Sequence, residues 1–221
     1  MRRSSRQPAP VHGPRLNRHQ PEAIVTTTLF LAFLALQALF IWGRMAVFRI
    51  EGRTPVGVRV IEVGTVLSIA IGSWLIDKRR AGETAVGAAW ADLAALGLVV
   101  ASASLFIVAC RTVRSTPLSA AFCTDTPTHL QMRGPFRWTR NPFYTAYLLG
   151  HAVPLAASRS AWALLAPAGM AAVYLCAVRQ EERKFLSSPL ADAWRAYAAR
   201  TGRFLPRVHL PINCNATEET K

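Results

Sequence analysis

The chain has 221 residues, 52% of them hydrophobic and only 17% charged, with a formal net charge of +14. A soluble domain of this size carries more charge and does not need its apolar residues gathered into long runs. The arginines flank those runs and form no aromatic-interleaved stripe, which sets nucleic-acid binding aside in favour of membrane-flanking cations. The four cysteines form no CxxC pair and share no metal-ligand spacing with the five histidines, so neither a metal nor an obligatory disulfide is expected.

Residues 1–22 are rich in Arg, Pro and His without apolar periodicity and read as a disordered basic tail. Residues 23–43 are nearly all apolar, close to the ~20 residues a membrane span needs. No clean small-residue cleavage site follows, so a retained helix is expected rather than a cleaved signal. A second run covers 56–76. Its Arg59 and Glu62 lie one helical turn apart and either pair with each other or face the bundle interior. A third covers 85–110 and is rich in Ala, Gly and Ser, which suit close helix packing; Asp92 near its start reads as an interface residue rather than a buried polar contact.

Residues 111–140 form a polar loop containing Pro117, Pro127 and Pro135. The runs 143–157 and 160–178 then form a tight helical hairpin, the first arm short and carrying His151 and Pro154. With a fixed rise per residue, two similar arms return residue 179 to the level of residue 142. Arg140–Tyr144 and Arg179–Glu182 are thereby expected at one membrane face. After 178 the chain turns amphipathic and is interrupted by Pro189. Phe185, Leu186, Leu190, Trp194 and Tyr197 make an apolar stripe that fits an interfacial helix with its aromatics at headgroup depth. Residues 207–221 read as a second tail.

The fold expected is all-α: a polytopic integral membrane protein with about five transmembrane helices and a C-terminal amphipathic interfacial segment. Three helices fall within 23–110, and a core occupies 111–206. The face holding the 111–142 loop and the C-terminal region carries 17 Lys/Arg against 9 on the other, which predicts a cytoplasmic C-terminal face.

The polar residues at that face offer no Ser/His/Asp triad and no phosphate-cradling glycine loop. Arg, Asn, Tyr and paired Glu suit a zwitterion: a carboxylate seeks Arg donors, and an ammonium or hydroxyls seek a carboxylate. Phe136 and Tyr144 add flat apolar surface for a ring. Equally, Glu181-Glu182-Arg183 fits a solvated helix face, Arg137 and Arg140 fit headgroup anchors, and Pro142 fits a helix-start proline. The residues alone reach a polar site at a membrane face with its ligand open.

Gly134-Pro135-Phe136, Arg140-Asn141-Pro142-Phe143-Tyr144, Glu181-Glu182, Trp194-x-x-Tyr197 and Phe204-Leu205-Pro206 occur in that order. This pattern resembles the isoprenylcysteine carboxyl methyltransferase and phospholipid methyltransferase superfamily, over about residues 112–206. The resemblance implies a membrane enzyme using S-adenosyl-L-methionine. It implies that Thr128, His129, Leu130, Gln131, Phe136, Asn141, Pro142, Phe143, Tyr144, Glu181 and Glu182 contact the cofactor. It makes Arg140 and Glu181 the catalytic candidates and Arg179 the substrate-binding one. Asn141 stands where the family usually has His, Ala146 where it has Gly, and Trp194 where it has the first Tyr. Ala177 stands where the isoprenylcysteine branch has Arg.

The implied chemistry is direct displacement of an activated sulfonium methyl, with the protein aligning the nucleophile and excluding water. The acceptor is a lipophilic or small molecule: an isoprenylcysteine-type carboxylate, a thiol or a lipid amine. Membrane lipid is the other expected partner. Two alternatives stay open, a nicotinamide-dependent membrane reductase of similar helical layout and a non-catalytic membrane subunit retaining the fold.

Overall fold

The computed structural model describes residues 20–49, 53–81, 89–115, 118–119, 122–123 and 126–207. The tails expected at 1–22 and 207–221 lie outside these, apart from 20–22, which are helical, and Arg207. Six helices follow one another: α1 (Gln20–Val47), α2 (Val56–Arg80), α3 (Ala89–Val113), α4 (Pro142–Ser158), α5 (Leu165–Leu186) and α6 (Ala191–Arg200). The only strand pairing among the described residues is a two-residue parallel ladder, β1 (Phe48–Arg49) with β2 (Leu118–Ser119), in register Phe48↔Leu118.

Four helical segments are long and apolar enough to cross a membrane: those in α1, α2 and α3, and Ala161–Leu186. The fifth member of the bundle, α4, has 17 residues. At 1.5 Å per residue it is about 25 Å long, the lower limit for a span. Its sequence accounts for both ends. Pro142 opens it at a position where the missing N–H costs nothing. Arg159 closes it in the left-handed conformation, φ 56°. A 3₁₀ turn, Ala161–Leu164, then leads into α5.

Being short and central, α4 is the helix the others enclose. It packs against α1, α2, α3 and α5, burying Phe143, Ala146, His151, Val153 and Ala157. Phe40, Phe106 and Phe143 form an edge-to-face series through the core, with centroids 4.9 Å apart for Phe40–Phe106 and 5.6 Å for Phe106–Phe143. The outer faces are apolar too: Leu31, Val63, Leu67, Leu93 and Val100 are exposed. Water would not tolerate so much apolar surface, but hydrocarbon does, and inside it helices associate through packing and small residues.

The helices alternate in direction, so the end of α1, the start of α2, the end of α3, the start of α4 and the end of α5 share one face. At the opposite face, Asp92 ties three helices together. Arg79 Nη1 and Nη2 donate to its two oxygens at 2.6 and 3.1 Å, Arg159 Nη2 donates at 3.1 Å, and Arg79 Nη1 also reaches the Ala157 carbonyl at 2.6 Å. Asp92 is therefore the polar contact that its position near the start of an Ala-rich helix did not announce. Exposed Trp74, Trp90 and Trp162 cluster towards this face and Trp42 and Trp138 towards the other, as aromatic belts do. The pair Arg59–Glu62 does not form. Glu62 is taken by Arg44 of α1.

Candidate active site

The shared face holds a cavity of about 230 Å³ between the start of α4, the end of α5, α6 and the loop before α4. Thr128, His129, Leu130 and Gln131 form one wall. They are steadied by Gln131, whose Nε2 donates to the Thr112 carbonyl at 3.4 Å and whose Oε1 accepts from the Arg133 amide at 3.1 Å. Gly134 then turns with φ +57°, where a Cβ would also meet the Thr112 hydroxyl. That turn starts the 3₁₀ segment Gly134–Arg137 and buries Phe136 against Phe143, centroids 6.3 Å apart. Phe136, Arg140, Asn141, Pro142, Phe143 and Tyr144 make the floor.

Glu181 and Glu182 line the opposite wall, because α5 runs on through Leu186 rather than ending at 178. Their neighbours differ, as a 100° step around a helix requires. Tyr144 Oη donates to Glu181 Oε1 at 2.8 Å. Glu182 faces cations: Arg203 Nε and Nη2 donate to its two oxygens at 3.0 and 2.7 Å, and Arg140 Nη1 lies 3.4 Å from Oε1. Arg140 is itself stacked over the Trp194 ring at 5.7 Å, and its Nε is buried with no hydrogen-bond partner. Burial pushes the Arg140 pKa down against the pull of Glu182, whereas the hydrogen bond from Glu182 raises that of Arg203.

The segment 201–207 straps across this end. Asn141 Nδ2 donates to the Arg203 carbonyl at 2.9 Å, Thr139 Oγ1 to the same carbonyl at 3.1 Å, Thr145 Oγ1 to the Phe204 carbonyl at 2.8 Å, and the Arg140 amide to the Gly202 carbonyl at 2.8 Å. Asn141 therefore spends its donor on the strap. On α6, Tyr197 Oη donates to the Phe136 carbonyl at 2.6 Å, and burial pushes its pKa up to about 12. Trp194 stacks on Phe185 at 4.5 Å, nearly parallel at 8°.

Residues 89–192 match the phospholipid methyltransferase family. This segment belongs to the isoprenylcysteine and phospholipid methyltransferase membrane superfamily, whose members are membrane methyltransferases. It runs from the first residue of α3 to the second of α6, so Trp194, Tyr197 and the strap lie beyond it. No curated protein matches the chain.

Of the residues singled out in the sequence, Thr128, His129, Leu130, Gln131, Phe136, Arg140, Asn141, Pro142, Phe143, Tyr144, Glu181 and Glu182 all border the cavity. Arg179 does not; its side chain is exposed on another face of α5. The cavity also takes in Phe48, Leu118, Thr126, Pro127, Lys184, Phe185, Trp194 and Tyr197. The last three belong to the stripe read as headgroup-facing. Helical spacing finds such a face, but nothing in it distinguishes lipid from a protein wall. Trp194 and Tyr197 are in fact buried against protein.

Proposed function

We propose that this chain is a membrane methyltransferase using S-adenosyl-L-methionine, with the cavity as its cofactor site. The observation that carries the reading is the split polarity of the cavity: one carboxylate, Glu181, and one arginine with an orphaned buried donor, Arg140 Nε, flank aromatic walls. Buried polar groups lacking partners are rare in folded proteins. Arg140 Nε offers a donor for the cofactor's carboxylate, and Glu181 an acceptor for its ammonium or ribose hydroxyls. Phe136, Phe185 and Trp194 provide faces for a purine ring.

The bound cofactor supplies a sulfonium methyl already activated for displacement. The protein's share is to hold the reacting groups and exclude water. Tyr144 fixes the Glu181 carboxylate, Glu182 fixes Arg140 from below, and the strap closes the edge through Asn141, Thr139 and Thr145. Asn141, in place of the usual His, keeps Oδ1 for the cofactor while Nδ2 holds the strap. The acceptor is lipophilic or small, and a lipid amine fits the family's description better than a prenylcysteine carboxylate. The position where that branch carries Arg is Ala177, fully buried, and Arg179 points away from the cavity. The 17-to-9 distribution of Lys/Arg supports a cytoplasmic cavity.

Calorimetric titration of detergent-solubilised protein with S-adenosylhomocysteine and with NADPH tests the reading. Saturable binding of the first alone is expected. Binding of NADPH instead supports the reductase, and binding of neither by folded protein supports the non-catalytic subunit.

A further inference from the structure

On the lipid-facing side of α2 and α5 lies a second concavity, an apolar groove of about 560 Å³ that shares no lining residue with the cavity. It follows α2 from Val56 to Ile71 and is walled by the first turns of α5, Leu165 to Val173. Fifteen helical residues correspond to about 22 Å, most of one hydrocarbon thickness. Val60, Val63 and Leu67 form its exposed rim, and Gly64 and Gly169 leave it open. Its one serine offers no polar atom to an occupant, because the Ser68 hydroxyl is bonded to His151 Nδ1 at 2.7 Å in the core.

The single charge in the groove is Arg59, one turn into α2 and therefore at the cavity-side face. It is exposed and makes no ion pair or hydrogen bond among the described residues, and the carboxylate one turn on, Glu62, is held by Arg44. A lengthwise apolar trough ending in an uncompensated guanidinium at headgroup level matches one class of molecule. We infer that this groove binds a phospholipid with an anionic headgroup, one acyl chain lying between α2 and α5 and the phosphate on Arg59. This does not rest on methyl transfer.

The test uses delipidated, detergent-purified full-length protein and two phospholipids with the same acyl chains, phosphatidylglycerol and phosphatidylcholine. Native mass spectrometry measures retained lipid, and thermal unfolding measures stabilisation, since a ligand bound only by the folded form raises the midpoint. Phosphatidylglycerol should bind about fivefold more tightly, the ratio one interfacial cation provides. Arg59→Gln should erase that ratio without weakening phosphatidylcholine. Gly169→Leu should lower retention of both lipids: a Cβ at Gly169 meets nothing within 4 Å, so the added side chain fills the groove without disturbing the fold. Equal binding of the two lipids, or a ratio surviving Arg59→Gln, overturns the inference. So does stabilisation by glycerol phosphate alone, or a change in oligomeric mass in Gly169→Leu, which would make the occupant a second copy of the chain.

Discussion

Tyr144 and Glu181 meet across the α4–α5 hairpin, hydroxyl to carboxylate at 2.8 Å, while the adjacent Glu182 is held by Arg203 and Arg140. Two neighbouring carboxylates thus have separate tasks, one turned to the cavity and one to the strap. Glu181→Gln should weaken S-adenosylhomocysteine binding by about tenfold to a hundredfold, the loss of a charge-assisted hydrogen bond worth about 1.5–3 kcal/mol. Glu182→Gln should act first on stability, lowering the unfolding midpoint with a smaller change in affinity, because it leaves Arg140 uncompensated. Calorimetry and thermal unfolding on both variants separate the two roles. Equal effects on both readouts would refute the division.

Tyr144→Phe keeps the ring, which stacks on Tyr174 at 5.0 Å, and removes only the donor to Glu181. The expected loss is about 1 kcal/mol in cofactor affinity, roughly fivefold. Stability should hardly change. A large fall in melting temperature would show instead that the hydroxyl serves the fold.

Tyr197 gives the α6 contact a pH signature. Its hydroxyl donates to the Phe136 carbonyl, and its pKa in the folded protein is raised from the ordinary phenol value to about 12. The folded state holds this proton more tightly than the unfolded chain. The contribution is therefore fully present below about pH 10, the unfolded value, and is lost as pH rises through about 12. Tyr197→Phe should cost about 1 kcal/mol at pH 8. The difference between wild type and variant should shrink between pH 10 and 12. Unfolding midpoints measured across that range check it, and a constant difference would sink the assignment.

The long elements were legible because hydrophobic runs of span length admit few alternatives. The hairpin's geometry followed from helical rise alone, which is why Tyr144 and Glu181 meet. Three features escaped the sequence for physical reasons. Glu62 had an arginine one turn before it, but its partner, Arg44, lies on α1, and i,i+3 spacing carries no information about interhelical distance. Asp92 drew two arginines from far along the chain, Arg79 and Arg159. The strap is held by side chains of 139–145 donating to backbone carbonyls some sixty residues on, and carbonyls have no sequence signature. Amphipathic spacing likewise gave α6 an apolar face without saying that Phe136 and Phe185 would cover it.

Asp92 makes a prediction at the face away from the cavity. It is the shared acceptor of Arg79 and Arg159, and Arg79 is itself buried. Removing one partner of a buried ion pair leaves charge without compensation, at a cost of about 3–5 kcal/mol. Asp92→Asn keeps the shape and some hydrogen bonding, so the loss should fall at or below the lower end. The midpoint should drop while S-adenosylhomocysteine affinity of the folded fraction stays at the wild-type value. An affinity loss with unchanged stability would contradict a purely architectural role.

The strap can be tested at Gly202. Its carbonyl accepts from the Arg140 amide at 2.8 Å, and it pairs with Thr139 in a parallel bridge. A Cβ at this position would collide with the Leu205 carbonyl, which is backbone and cannot swing aside as a side chain would. Gly202→Ala should therefore displace residues 203–206 from the edge of the cavity. Arg203 would leave Glu182, and Asn141 and Thr145 would lose their acceptors. The four helical spans touch none of these groups, so far-ultraviolet circular dichroism should stay unchanged. Cofactor affinity should fall at least tenfold, because Arg140 loses the backbone contact that orients it. Arg203→Ala serves as the control: it removes the ion pair but leaves every backbone carbonyl in place, and should have the smaller effect. If Gly202→Ala binds S-adenosylhomocysteine like wild type, the strap does not close the site.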